Sequence, residues 1–227
     1  MKLIDACVAA FHQDFVVRTA RSASAVQDAL RLRHDVYCLE RGFEAATPAG
    51  IEQDEFDRQA HHVIACDRRS GEVMGTLRLI LPDRSGPRHR ALPIRGVCGA
   101  SLLQHLPFST TAEVSRFAIS KQRRSESAGA TALLRMGLVQ GAVRLSRDLG
   151  MTHWCAVMER SLLRLMRSTS VRFTPIGPAV EYHGVRQPCA AEIAPLLAEM
   201  AVTHPALWGL VTEGGALCGR APASMAA

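Results

Sequence analysis

Charged residues set inside apolar sequence are the places to look for chemistry. Glu113 and Arg116 lie in the run Glu113-Val114-Ser115-Arg116-Phe117-Ala118-Ile119. The run has strand character. Alternation puts Glu113, Ser115, Phe117 and Ile119 on one face and Val114, Arg116 and Ala118 on the other. A charge in such a run costs free energy unless it is paired or opens on a cleft. Two readings follow: a half-exposed strand with a solvent-facing ion pair, or an acid and a base placed at a site. Arg78 is set the same way, sharing one face of a predicted strand with Met74, Thr76 and Ile80. Arg33 falls on a helical stripe with Val26, Leu30 and Tyr37, at steps of four, three and four. Such an arginine either lays its stem on the core with its head in water or serves a site. Between these stretches, residues 44–60 carry Glu52, Asp54, Glu55 and Asp57. These acids make a solvated turn or supply counter-charges to Arg33.

Other chemistries are excluded by spacing. The acidic loop lacks the glycine of an EF-hand, and His61-His62 has no partner at metal-ligand spacing, so no metal site is expected. The seven cysteines are scattered and never form a Cys-x-x-Cys pair. They read as small core residues in a reducing compartment, and none has the local signature of a nucleophile. No glycine-rich nucleotide fingerprint is present. The net charge of +6 favours acidic partners, but two Trp, two Tyr and seven Phe give no basic-aromatic platform for nucleic acid. The short apolar run at the N-terminus is broken by Asp5, and no run reaches membrane-spanning length, so a cytoplasmic location is expected.

The elements that must position these residues follow from periodicity. A strand is predicted at Phe15–Arg18, and a helix from Ala25 to about Glu40, capped by Ser22 or Ser24 and closed by Gly42 beside Phe43. Strands are predicted at His61–Asp67 and Val73–Leu81, joined by the turn Arg68-Arg69-Ser70-Gly71. Residues 82–110 read as a long irregular segment with a short helix near Ser101–Leu106. After the central strand come a helix at Thr131–Leu149 closed by Gly150, a strand at Thr152–Val157 and a helix at Glu159–Arg167. A strand at Val171–Ile176 and a helix at Ala190–Ala201 complete the series. With 227 residues, 48% hydrophobic, the chain suits one domain over residues 1–213 and a flexible tail over residues 214–227.

This order of elements resembles the GNAT-type acyltransferase fold, an α/β fold whose mixed central sheet is splayed at the acyl site and flanked by helices. The motifs narrow the likeness. Arg33 with Tyr37, Gly42-Phe43, Asp54-Glu55-Phe56-Asp57, Gly75-Thr76-Leu77-Arg78-Leu79 and Glu113-Val114-Ser115-Arg116-Phe117 occur in the order seen in the acyl-homoserine lactone synthases. They are equally similar to those of the long-chain N-acyl amino acid synthases and the exosortase-associated acyltransferases. The resemblance implies that Arg33, Asp54, Asp57, Arg78, Glu113 and Arg116 form a charged cluster beside the cleft. Tyr37 and Phe43 stand where the lactone synthases carry Phe and Trp near the amine pocket, which points to an acceptor other than S-adenosylmethionine. The stretch Arg124–Gly129 lacks the glycine pair of a pyrophosphate loop, which points to an acyl carrier protein rather than coenzyme A as donor.

Within that frame Glu113 is the expected base or orienter of the amine, with Ser115 and Phe117 beside it as candidate catalytic positions. Backbone N–H groups at a bulge near Phe117, Ala118 and Ile119 are expected to meet the oxyanion. Arg33 and Arg78 are expected to hold an acceptor carboxylate or to brace the aspartates. Lys121, Arg123 and Arg124 would contact the phosphopantetheine phosphate or an acidic carrier surface, or form a solvated turn. Trp154, with Leu133, Met136, Ala156 and Met158, would line the acyl site or pack in the core. The expected activity is acyl transfer from an acyl-phosphopantetheine thioester to an amino acid amine, with no tightly bound cofactor. The rivals are a lactone synthase using S-adenosylmethionine and a non-catalytic acyl-carrier binding module.

Overall fold

The computed structural model describes residues 11–82, 92–121 and 128–219. They form two compact units, one of residues 1–81 and 114–142, the other of residues 82–113 and 143–227.

In the first unit, β1 (Phe15–Thr19) pairs antiparallel with β2 (Ala60–Asp67), and β2 with β3 (Val73–Ile80). β3 is hydrogen-bonded in turn to β4 (Thr111–Ile119), whose residues from Val114 onward belong here. The turn between β2 and β3 is built by Asp67, whose Oδ1 accepts the N–H groups of Arg69 and Ser70 at 3.0 and 2.7 Å. The helix α1 (Ala23–Arg33) starts at Ser22, whose hydroxyl accepts the Ala25 N–H at 3.2 Å. It does not continue as an α-helix to Glu40. His34–Glu40 form a π-helical turn, which ends at Gly42 with φ +62°. Ala25, Ala29 and Leu32 of α1 pack on Ile64, Cys66 and Val73 as an apolar cluster. The first part of α2 (Ala128–Asp148) lies close to the strands because Gly137 and Gly141 carry no Cβ: one added there would come within 2.3 Å of Phe11 and Val63.

In the second unit, the start of β4 runs parallel to β5 (His153–Met158), paired over Thr111↔His153, Ala112↔Trp154 and Glu113↔Cys155. β5 pairs antiparallel with β8 (Val185–Glu192), and β8 carries β6 (Thr174–Pro175) and β7 (Val180–Glu181). Leu162 and Leu163 of α4 (Arg160–Arg167) pack on Ala156, Met158 and Cys189. The sheet is thus mixed: β4–β5 is a parallel pair, whereas β1–β2, β2–β3, β5–β8, β6–β8 and β7–β8 are antiparallel, as expected of the GNAT-type fold.

Some expectations are corrected. The predicted helix at Ala190–Ala201 starts only at Ile193, as α5 (Ile193–Thr203), because Val185–Glu192 are strand β8. Pro188 and the alanines argue against a strand locally, but burial between β5 and β6 outweighs propensity. The strand predicted at Val171–Ile176 shrinks to Thr174–Pro175. A helix α3 (Ile94–Cys98) lies in the segment read as irregular, while the helix expected near Ser101 is a 3₁₀ turn, Ala100–Leu103. An unanticipated helix α6 (Pro205–Thr212) follows α5. Of the expected tail over 214–227, residues 220–227 lie outside the described residues, and residues 214–219 are ordered. They form hydrogen-bonded turns with Leu217 buried, and Arg147 donates to the Ala216 carbonyl at 3.2 Å. Among the described residues, no helix is long and apolar enough to cross a membrane.

Candidate active site

The first unit gathers the charged residues into a closed network. Arg33 is fully buried, at 0% exposure. Its Nε donates to Glu52 at 2.5 Å, and its two Nη atoms donate to the two Asp57 oxygens at 2.7 and 3.2 Å. Arg78, 2% exposed, donates to both Asp54 oxygens at 2.6 and 2.8 Å, to Asp57 at 2.9 Å and to Ser115 Oγ at 3.0 Å. Arg116 grips Glu52 through Nε and Nη2 at 3.1 and 3.0 Å. It also lies 3.5 Å from Glu44 and 3.4 Å from Asp54, and its guanidinium sits over the Tyr37 ring at 5.3 Å.

Local backbone chemistry sets this geometry. Asp54 and Asp57 form a reciprocal capping box around the 3₁₀ turn Glu55–Gln59. The Phe56 N–H donates to Asp54 at 2.9 Å, and the Asp54 N–H donates to Asp57 at 2.8 Å. The loop is tied to α1 by the Glu52 N–H, which donates to the Leu30 carbonyl at 3.1 Å. Strict alternation along β4 fails at one point. Ser115 and Arg116 are consecutive, yet both reach the same network. The cause is Arg116, whose φ of +48° is the left-handed region that costs a non-glycine residue about 1–2 kcal/mol. Bidentate pairing with Glu52 offsets that strain. Regular strand geometry is therefore broken at Arg116, just before the Phe117–Ile119 stretch where a bulge is expected.

The arginines brace the acids. All three nitrogens of Arg33 and of Arg78 are taken by groups of the chain itself, so the bracing alternative describes both. Burial works upward on the Asp57 and Glu52 carboxyls. The arginine hydrogen bonds and charges outweigh it and hold both below the ordinary carboxylate range. His62 lies beside this network, its Nε2 3.6 Å from Asp57. Burial, then the charge of Arg33, pushes its imidazole down to about 4. His62 is therefore neutral in the folded protein, while the unfolded chain takes up a proton near the ordinary value of 6.5. The unfolded state binds more protons between these values, so stability falls as pH drops from about 6.5 to 4, by roughly 3 kcal/mol in all. Thermal melts at pH 7, 6 and 5 should show this loss, and His62→Gln should flatten it. An unchanged pH slope in the variant removes His62 as the cause.

Glu113 belongs to the second unit. It is 4% exposed, and its Oε2 accepts the backbone N–H of Ile94 at 2.8 Å. That donor is one of the N-terminal N–H groups of α3, which no helix satisfies internally. A cavity of about 320 Å³ lies alongside, lined by Leu92, Ile94, Leu103, Leu106, Phe108 and Cys155 among others. Its size falls within the range of small-ligand sites. Cys155 is the residue paired with Glu113 across β4 and β5.

The remaining candidates divide. The Tyr37 hydroxyl donates to the Phe117 carbonyl at 3.3 Å, and the Phe43 ring lies 6.4 Å from Tyr37, below Arg41. Ala118 and Ile119 sit where β3 approaches β4 closely: a Cβ on Gly75 would lie 3.1 Å from Ile119 and 3.2 Å from the Ala118 carbonyl. Lys121 gives its backbone N–H to Glu40, at 2.9 and 3.1 Å, and leaves its side chain exposed. Arg123 and Arg124 lie outside the described residues. Trp154 is a packing residue rather than a wall of the cavity. Its Nε1 donates to Ser146 at 2.9 Å and its ring stacks on Phe173. Met136 and Ala156 are fully buried too. Sequence reasoning missed Ile94 and the other walls from residues 92–108, because an irregular apolar segment carries no periodic signal. Glu52 was visible only as one acid among several.

Burial raises the thiols of Cys38, Cys66, Cys98, Cys155 and Cys189, the last to about 12, with the charge of Glu113 adding to the effect at Cys98 and Cys155. Thiols raised in this way are poor nucleophiles. Among the described residues, no group of His, Cys, Asp and Glu has metal-binding geometry.

Comparison with known proteins agrees with this geometry. The acetyltransferase (GNAT) domain family matches residues 32–134. No curated protein sequence matches the chain. Among solved structures, TofI in a ternary complex with an inhibitor and MTA is 25% identical, with TM-score 0.62, over 86% of this chain and 99% of TofI. BjaI, a CoA-dependent acyl-homoserine lactone synthase with SAM and isopentyl-CoA, is 21% identical, with TM-score 0.61, over 86% of this chain and 89% of BjaI. FeeM, an N-acyl amino acid synthase from uncultured soil microbes, is 16% identical, with TM-score 0.60, over 83% of this chain and 96% of FeeM. With a matching domain over its charged motifs and this sheet around them, the chain is an acyltransferase of the GNAT fold.

Proposed function

We propose that this enzyme joins a fatty acyl group, delivered as a carrier-protein thioester, to the amine of an amino acid. The observation that carries the reading is Glu113: a buried carboxylate that accepts the Ile94 N–H, beside a largely apolar cavity. The amine nitrogen attacks the thioester carbonyl carbon, and its proton passes to Glu113 directly or through one water. The C–N bond forms and the C–S bond breaks. The sulfur leaves with the bonding pair and takes up a proton. Backbone N–H groups at Phe117–Ile119 would meet the oxyanion, a role favoured by the backbone break at Arg116. The raised cysteine thiols favour direct attack over an acyl-enzyme.

An acidic carrier as donor is supported by α4. Arg160, Arg164 and Arg167 are exposed, lie within an arc of about 60° and have no ion pair among the described residues. A second reading, a lactone synthase using S-adenosylmethionine, is favoured by the likeness to BjaI. The engagement of Arg33 and Arg78 inside the network does not separate the two readings, because S-adenosylmethionine carries the same α-carboxylate as an amino acid. Mass spectrometry of lipid extracts from an expressing bacterium separates the two. A long-chain N-acyl amino acid is expected, and a homoserine lactone overturns the acceptor assignment.

A further inference from the structure

Ile94 does two things at once. Its side chain, fully buried, is a wall of the cavity. Its backbone N–H holds the Glu113 carboxylate at 2.8 Å. Two further walls adjoin the same acid. Thr111 precedes Glu113 by two residues, on the same face of β4. Cys155 faces Glu113 across the parallel pair. Whatever fills this cavity therefore presses on residues that fix Glu113. The Cys98 and Cys155 thiols are near enough to feel its charge, and burial keeps both protonated. The N–H of Ile94 is thus a polar contact to Glu113 made by a residue of the cavity wall.

We infer that Ile94 is a positioning residue. Filling of the cavity by the donor's acyl chain packs Ile94 and sets Glu113 for proton removal, so the donor's chain controls the chemical step as well as binding. This rests on the acyl-transfer reading above. Binding energy from a remote part of a substrate then appears in kcat, because it is realised as alignment at the reacting atoms. A short acyl chain leaves the wall unsupported and Glu113 imperfectly placed.

The test is a chain-length series of acyl thioesters with a fixed amine acceptor, with kcat and the KM of each substrate measured separately. For the wild-type enzyme, kcat should rise about tenfold from a two-carbon to a long-chain donor, with the acceptor KM unchanged. Ile94→Ala keeps the N–H but removes the wall. It should bring long-chain kcat down to the short-chain value, and Ile94→Val should restore most of the difference. Leu106→Ala, which enlarges the cavity without touching Glu113, should raise the donor KM and keep the ratio of long-chain to short-chain kcat. Equal kcat across chain lengths in the wild type overturns the inference, even if Ile94→Ala fails to fold. So does a Leu106→Ala enzyme that loses the ratio as Ile94→Ala does. By contrast, a wild-type enzyme that acylates no amine with any donor removes the acyl-transfer reading itself, whereas a Glu113→Gln enzyme with full activity removes Glu113 as the proton acceptor, and this inference with it, but leaves acyl transfer standing.

Discussion

Glu113→Gln should lower kcat by about 10²–10⁴-fold, the usual worth of a positioned acid or base, with little change in thermal stability. Glutamine keeps the side-chain length and an oxygen that accepts the Ile94 N–H, now 2.8 Å from the carboxylate. It cannot accept the amine proton. Alanine is the less informative change. It would leave that buried N–H without its partner, a loss of about 1–3 kcal/mol in stability that would blur the kinetic result. The decisive measurement is single-turnover acyl transfer with saturating donor, alongside a melt. A Glu113→Gln enzyme within threefold of wild type would show that the acid is structural and that the amine proton leaves by another route.

The second large effect is on folding. Asp57→Ala should cost about 3–5 kcal/mol, because it strips one carboxylate from two buried guanidinium groups at once. Asp57 takes two hydrogen bonds from Arg33 and one from Arg78, and its side chain is 3% exposed. A buried ion-pair network adds little net stability over a well-packed apolar core, but removing one member leaves uncompensated charge. Urea unfolding should therefore show a lower midpoint with an unchanged slope. Arg33→Met combined with Asp57→Leu should recover part of the loss, since both charges are then gone. A loss below 1 kcal/mol for Asp57→Ala would mean that water reaches the network freely.

The sign of the pH effects agrees with this picture. His62 contributes its stability above about pH 6.5 and loses it toward pH 4. Glu52 and Asp57, both depressed, lose theirs only as pH falls below the ordinary carboxylate range. Acid destabilisation should thus come in two stages, with the histidine first.

Local pattern determined much of this protein. The stripe of Val26, Leu30, Arg33 and Tyr37 required a helix, and alternation around Arg78 and Glu113 required strands, because side-chain direction follows backbone period. The acidic loop and the buried arginines were visible as charges out of place, and their order carried the family likeness. Tertiary structure decided what pattern could not. It settled that Arg33 buries its head among carboxylates instead of reaching water, because the counter-charges come from a loop 19 and 24 residues away in sequence. It turned Val185–Glu192 into a strand against their propensity, since two neighbouring strands bury it. It broke the alternation of β4 at Arg116, where pairing with Glu52 sustains a strained φ. And it built the cavity from residues 92–108, which have no periodicity, by docking them beside Glu113. Periodic elements announce themselves because each residue repeats its neighbour's geometry; a site wall assembled from irregular chain exists only once distant segments have met.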